Sequence, residues 1–368
     1  MVRGFFGSSM SVKTENQIQP QRRDGPQRRE VPRSRRLWGA LAILAVVAVG
    51  GFAWMRVGML DLPSVPSNVT PETAGLGDLE KMRQLDEAIW AKSQPKSLPV
   101  LPLSDAALMV QLGIFDAQHG NTNGLERMRQ GIRLEPNNLV LANAYRMLVF
   151  GLRRDFLASA RRESMVVPRF PPELDRQPMV FFEELDRAHP SRETKLHLAM
   201  AWVDEMLLFP ALEIKAPSSV QAVDLLSSVI DRENAFYVPA LYARGLNHLH
   251  RPARLVWPES IKAPRDAAVH DIAKCVAIGR RLRAGSPRLQ ATLAMSLGDS
   301  YVKTGRLNVA RSWWQIAQNL CHDAEIQAAI RRRYQWQNEE ILDRLEEELD
   351  RGRSELDHPM TDLALMWN

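Results

Sequence analysis

The stretch ATLAMSLGDSYVKTGRLNVARSWWQIAQNLCHDA, residues 291–324, decides how this chain folds. Its small and large residues fall in an order that a pair of tightly packed helices requires. Gly298 sits mid-helix, where glycine costs about 1 kcal/mol against alanine, so a close helix contact has to offset it. Ala310 and Ala317 lie seven residues apart on one face of the next helix, with Trp314 between them. Small residues let two helix axes approach, and the indole fills the space beside them.

This order resembles the tetratricopeptide repeat, a helix–turn–helix unit of about 34 residues. With Ala291 first, Gly298 falls eighth, Tyr301 eleventh, Ala310 twentieth, Trp314 twenty-fourth and Ala317 twenty-seventh. Ala294 stands at the family's usual tryptophan, and His322 where a proline normally closes the unit. One unit cannot bury its own apolar face, so the resemblance implies more on either side.

Further copies lie upstream. Counting from Asp105, Leu112 falls eighth, Phe115 eleventh, Gly124 twentieth, Met128 twenty-fourth, Gly131 twenty-seventh and Pro136 thirty-second. The proline stops one helix, and residues 138–162 begin the next. Ala222, Leu226 and Val229 repeat the second-helix spacing within 218–234, after a first helix over 194–209 and an irregular 210–217. Another first helix runs from Pro239 to His250 around Gly245, and its partner over 265–282 carries Ala268, Ile272 and Cys275. About five units over residues 104–324 follow.

The implied fold is all-α, a TPR-like right-handed α-solenoid over residues 78–351 preceded by a single transmembrane helix. A hydrophobic fraction of 45% supplies the core, and no sustained alternation points to a sheet. Leu79, Met82, Leu85 and Ile89 share one face of a first helix before the repeats. Residues 352–368 are expected to be a tail.

Topology comes from Leu37–Met55, LWGALAILAVVAVGGFAWM, 19 residues without a charge. At 1.5 Å per residue they span about 28 Å, close to the hydrocarbon thickness of a bilayer. Residues 1–36 carry nine Lys/Arg against Glu15, Asp24 and Glu30. Such a flank stays in the cytoplasm, which places the rest of the chain on the outer, periplasmic side of the inner membrane. A signal cut after Ala53 is the competing reading; the stretch is longer than the usual 7–15-residue core of such signals. Residues 56–77, rich in proline, read as a linker. The tail's +6 exceeds the whole chain's +5, so the folded part is near neutral and its partners are not nucleic acids.

The chemistry audit is short. No phosphate-binding loop, dinucleotide fingerprint or nucleophile elbow occurs. His248 and His250 point about 200° apart on a helix and cannot share a metal. His270-Asp271, Glu183-Glu184 and Glu346-Glu347-Glu348 read as solvated faces. Cys275 and Cys321 fall on second helices of adjacent units, too far apart for a disulfide, and read as buried free thiols. No catalytic residue, metal ligand or cofactor is expected, and the chain does not read as an enzyme.

In the repeat family, five positions of each first helix line a concave groove that binds proteins. Carried over, they are Met109 and Asp116 in the first unit; Tyr242, Leu246, Leu249 and His250 in the fourth; and Met295, Asp299, Val302 and Lys303 in the last. The groove is filled either by an apolar segment of another protein or by Leu342, Leu345 and Leu349 of the chain's own final helix. The expected function is a membrane-anchored scaffold or assembly factor for envelope proteins, held to the lipid bilayer through 37–55. The alternative is a permanent accessory subunit of a respiratory or photosynthetic membrane complex, packed through Gly39, Ala42, Ala45, Ala48 and Gly51.

Overall fold

A computed structural model describes residues 62–91, 103–121, 123–162, 170–175, 177–208, 212–251, 266–355 and 362–368. The basic tail 1–36 and the apolar span 37–55 lie outside the described residues. Among those described, no helix is long and apolar enough to cross a membrane.

The described chain is all-α, without a strand. Its thirteen α-helices are α1 Leu79–Trp90, α2 Asp105–Gln118, α3 Asn123–Leu134, α4 Leu139–Arg162, α5 Gln177–Ala188, α6 Arg192–Leu208 and α7 Leu212–Ser228, then α8 Val238–Leu249, α9 Ala267–Leu282, α10 Pro287–Lys303, α11 Leu307–Leu320, α12 Ala324–Gln335 and α13 Ile341–Glu355. A π-helical turn, Val229–Glu233, extends α7, and a 3-10 turn spans Leu363–Met366. Side chains cap the starts. Ser104 accepts from the N–H of Ala107, Ser286 from that of Leu289, and Asp323 from those of Glu325 and Ile326. Each satisfies an N–H that the first helical turn leaves without a partner.

Short connections fold α2 on α3, α6 on α7 and α10 on α11 as helical hairpins, and α8 packs on α9 across the longer segment 250–266. The first helices touch in order: α2 with α4, α4 with α6, α6 with α8, and α8 with α10. One apolar core runs along the stack, from Val110 and Met128 through Tyr145, Phe182 and Leu226 to Trp313 and Trp314, all at most 2% exposed. Each such side chain contributes about 1.5–3 kcal/mol by leaving water.

The small residues do what close packing requires. A Cβ on Gly298 would lie 2.6 Å from Trp314 Cδ1 and 2.9 Å from the carbonyl oxygen of Ala310. In the first hairpin the structure shifts the expected register by one residue. Gly113, not Leu112, faces Gly124 and Met128, with 2.5 Å left between its would-be Cβ and the Gly124 carbonyl. Leu108, Leu112 and Phe115 turn outward and are 44, 44 and 51% exposed. The physical reason is direct: only a residue without a side chain allows that approach.

Other sequence expectations need correction too. Residues 352–368 are not simply a tail, since α13 runs on to Glu355 and Leu363, Met366 and Trp367 are buried, and α7 begins at Leu212, inside the stretch read as irregular. Residues 62–77 are docked, not a free linker. Val69, Ala74 and Leu76 are buried, Val238 donates its N–H to the Ala74 carbonyl at 3.0 Å, and Arg281 Nη1 donates to the Val65 carbonyl at 2.9 Å. Gly75 adopts φ +71°, and a Cβ there would meet Tyr237 at 2.5 Å. Glu346 and Glu348 are not on a solvated face. Lys303 holds Glu346 at 2.7 Å and Arg332 holds Glu348 at 2.5 Å, because α13 packs back on α10.

Candidate functional site

The first helices meet one another in turn, and the surface where they meet, called the inner surface below, carries polar residues that an apolar core does not call for. On α4, Asn143 and Arg146 are one turn apart and almost fully buried. Arg146 Nη1 donates to Asp204 Oδ2 of α6 at 2.5 Å, and its Nη2 donates to Asn143 Oδ1 at 3.0 Å. Two turns on, Arg153 donates to Glu205 at 2.7 Å while its guanidinium lies 4.4 Å from the Phe170 ring centre. Breaking such a buried pair costs about 3–5 kcal/mol, because the remaining charge stays buried.

Asn143 is the hinge of the site. Its Oδ1 also accepts the backbone N–H of Leu363 at 3.0 Å, and its Nδ2 donates to Asp362 Oδ1 at 2.8 Å. One amide thereby reads a donor and an acceptor of the same passing segment. That segment, Asp362-Leu-Ala-Leu-Met-Trp-Asn368, occupies the inner surface. Its 3-10 turn touches α1, α4 and α10. Asp362 caps its own turn by accepting the Ala364 N–H at 2.9 Å. Leu363, Met366 and Trp367 are 0, 1 and 4% exposed, and Asn368 Nδ2 donates to Asp86 Oδ2 of α1 at 3.1 Å.

Electrostatics mark where this seat is tight and where it is not. Burial raises the Asp86 carboxyl above its usual range; neighbouring Asn368 and Trp367 partly offset this, and the Asp362 charge adds to it. Yet Asp86 Oδ1 and Trp367 Nε1 both fall short of a hydrogen bond. Burial, then the Arg146 charge, pushes His197 on α6 far below the ordinary histidine range. It stacks on Phe182 at 5.4 Å as a neutral ring, with neither nitrogen hydrogen-bonded. Burial, helped by Arg251 and Arg244, takes His248 down to about 3. Burial raises the Cys275 thiol well above its ordinary value, so it stays protonated and unreactive.

The residues nominated from sequence are distributed as follows. Tyr242, Leu246, Leu249, Asp299 and Val302 are buried in the core. Asp299 accepts both ends of Arg333 from α12 at 2.8 and 2.7 Å and Trp314 Nε1 at 2.9 Å, so it ties helices together. Lys303 Nζ donates to the Arg251 carbonyl at 2.7 Å, beside His250, and Met295 packs half-buried on the core. Met109 and Asp116 are half-buried, with Asp116 paired to Arg127 of α3. Leu345 and Leu349 are buried and Leu342 is packed on the core. Tyr242 lies within the electrostatic reach of Asp362, which joins the fourth-unit residues to the seated segment. His270 is exposed, whereas Asp271 is buried and bonded twice to Arg244 at 2.8 Å. Cys275 and Cys321 are free thiols, the first buried and the second half-buried.

Asn143, Arg146, Asp204, Glu205, Asp86 and the 362–368 segment were not singled out from sequence. A signal existed for two of them: Asn143 and Arg146 interrupt the otherwise apolar run LVLANAYRMLVF, 139–150, and a polar residue buried there demands a partner. An open cleft of about 410 Å³ lies elsewhere, lined by Pro63, Asp266, His270, Tyr301 and Arg306 among others. Among the described residues, no group of three or more His, Cys, Asp or Glu could hold a metal. No protein family, curated protein or solved structure matches the chain.

Proposed function

We propose that this chain is a membrane-anchored scaffold or assembly factor, a TPR-like right-handed α-solenoid displayed on the periplasmic face of the inner membrane behind one transmembrane helix. It acts by holding segments of other envelope proteins against the inner surface of its first helices, and it carries out no chemistry of its own. The observation that supports this most is Asn143. It engages both the backbone and the side chain of a passing segment, within a surface that buries three apolar side chains of the same segment. Such a device recognises polypeptide. The stacked hairpins and the resemblance over residues 291–324 agree with it. The uncharged 37–55 and its basic flank supply the anchor and the orientation.

A second reading, a permanent subunit of a membrane complex, draws on the outward stripe Leu108, Leu112 and Phe115 of α2. An apolar stripe of this kind in water marks an interaction surface. Mild-detergent extraction followed by size exclusion separates the two. A stoichiometric complex that survives the column, and is lost in Leu112→Glu/Phe115→Glu, favours the subunit. Partners captured only by cross-linking favour the scaffold. A chain that runs alone and cross-links to nothing overturns both.

A further inference from the structure

The inner-surface site is occupied, and its occupant is a piece of the same chain. From the seating of this segment we infer that residues 362–368 are a displaceable plug in cis, and that the site's partner in trans is a protein segment of the same pattern: a carboxylate, then Leu, Met and Trp anchors on a single turn. The partner half of this inference rests on the scaffold reading above; the plug half does not.

Three observations carry it. The seat recognises features that any such segment offers. Asn143 takes one backbone N–H and one carboxylate oxygen, while the space between α1, α4 and α10 takes Leu363, Met366 and Trp367. Next, the fit is incomplete. Asp86 Oδ1 and Trp367 Nε1 are buried and fall short of a well-formed hydrogen bond, although Trp367 and Trp90 lie close enough to favour the Asp86 carboxylate, and Asp86 and Asp362 are two carboxylates within electrostatic reach of each other. A competitor that completes a hydrogen bond to Asp86 Oδ1 gains a contact that the plug makes only in part. Lastly, the plug is short. One 3-10 turn, two hydrogen bonds with Asn143 and one with Asp86 hold it, and residues 356–361 connect it to α13.

A tether of that length gives an effective concentration on the order of 1 mM. A competitor of equal intrinsic affinity must approach that concentration, on the order of 1 mM, to displace half of the plug. Access is therefore set by the cis segment, and partners compete with it.

The test uses the whole chain with a site for a sequence-specific protease written into residues 356–361. The folded protein is purified and then cut, so the seat forms before the tether is severed. A fluorescein-labelled synthetic peptide of residues 362–368 is added, and polarisation is followed. The expected result is departure of the cut segment on desalting and saturable binding of the labelled peptide. Affinity should be at least tenfold weaker for the uncut chain, and tenfold weaker for a peptide with Leu363→Ser and Trp367→Ser. Helical content should stay constant throughout. Retention of the cut segment with no uptake of label over a day overturns the inference, as does loss of helical content when the segment leaves, because the residues are then part of the core. The partner half is read separately in cross-linked membranes, comparing the parent with full-length Trp367→Ser. Severalfold greater recovery of cross-linked protein supports it. Normal peptide exchange with unchanged recovery removes the scaffold reading and leaves the plug standing.

Discussion

Gly298→Ala adds a single methyl group at the contact on which the whole reading of residues 291–324 turns. Its Cβ would stand 2.6 Å from both Trp314 Cδ1 and Nε1 and 2.9 Å from the Ala310 carbonyl. Neither neighbour gives way easily. Ala310 offers backbone, and Trp314 is fully buried with Nε1 held by Asp299 at 2.9 Å and its ring edge-on to Tyr334 and Trp336. Two effects then compete. Alanine gains about 1 kcal/mol of helix propensity over glycine. Overpacking costs about 1–3 kcal/mol, and a displaced Trp314 forfeits roughly 1.5–3 kcal/mol of hydrogen bond to a charged acceptor. The net expectation is a loss of about 1.5–5 kcal/mol. At roughly 2 °C per kcal/mol for a chain of this size, that lowers the melting temperature by about 3–10 °C. Gly151 in α4 is the control, since a Cβ there meets nothing within 4 Å. Gly151→Ala should raise stability by up to about 1 kcal/mol. Circular dichroism melts of the purified chain measure both. A Gly298→Ala protein that melts at or above the parent would refute the packing argument, and opposite signs for the two glycines would be hard to obtain any other way.

Arg146→Met should cost about 3–5 kcal/mol in urea titrations by stranding Asp204, and adding Asp204→Leu should recover much of it; a single-variant cost under about 1 kcal/mol would mean the pair is not buried as described. Acid should destabilise the fold through His197, whose folded pKa is depressed by burial and by Arg146. The unfolded chain takes up a proton near pH 6.5 that the folded chain refuses, so stability is full above that pH and falls below it. His248, depressed to about 3, acts with the same sign. Asp86, raised, acts weakly against them at lower pH. Melts from pH 8 to pH 5 should therefore show a shallower decline for His197→Leu than for the parent, and identical slopes would remove His197 from the account. For topology, single cysteines at positions 10 and 360 should label from opposite sides of the membrane, the first from the cytoplasm; labelling of position 360 from the cytoplasm alone reverses the orientation.

What the sequence disclosed was the part governed by local spacing. Gly298, Ala310, Trp314 and Ala317 announce a close helix pair because glycine and alanine leave a gap that only a neighbouring helix fills, and α10 and α11 follow. The first hairpin was read one residue out of register, since Leu112 sits beside Gly113 and a counting template cannot tell which of two adjacent positions lies at the contact. The helix face nominated for binding was legible only as a pattern of positions. Its occupancy depends on segments distant in sequence, such as Asn368 meeting Asp86 and Asp362 meeting Asn143, and no local period encodes those meetings.

The same long-range contacts explain why a near-neutral helical stack holds so many buried charges. Arg146 with Asp204 and Arg153 with Glu205 join α4 to α6, Arg244 with Asp271 joins α8 to α9, and Arg333 with Asp299 joins α10 to α12. Each pair lies at a joint between helices whose apolar faces are rich in alanine and leucine. Such faces slide by a turn at little cost, since one methyl-lined groove resembles the next. An ion pair does not slide. A one-turn offset of about 5.4 Å strands a buried guanidinium and a buried carboxylate together, and the penalty for either exceeds anything a shifted apolar contact returns. The pairs add little net stability over apolar substitutes, and their effect is to single out one register among several of similar packing energy. Asn143 is built into the first of these joints through Arg146. The amide that reads the seated segment is therefore held in position by the contact that sets how α4 meets α6.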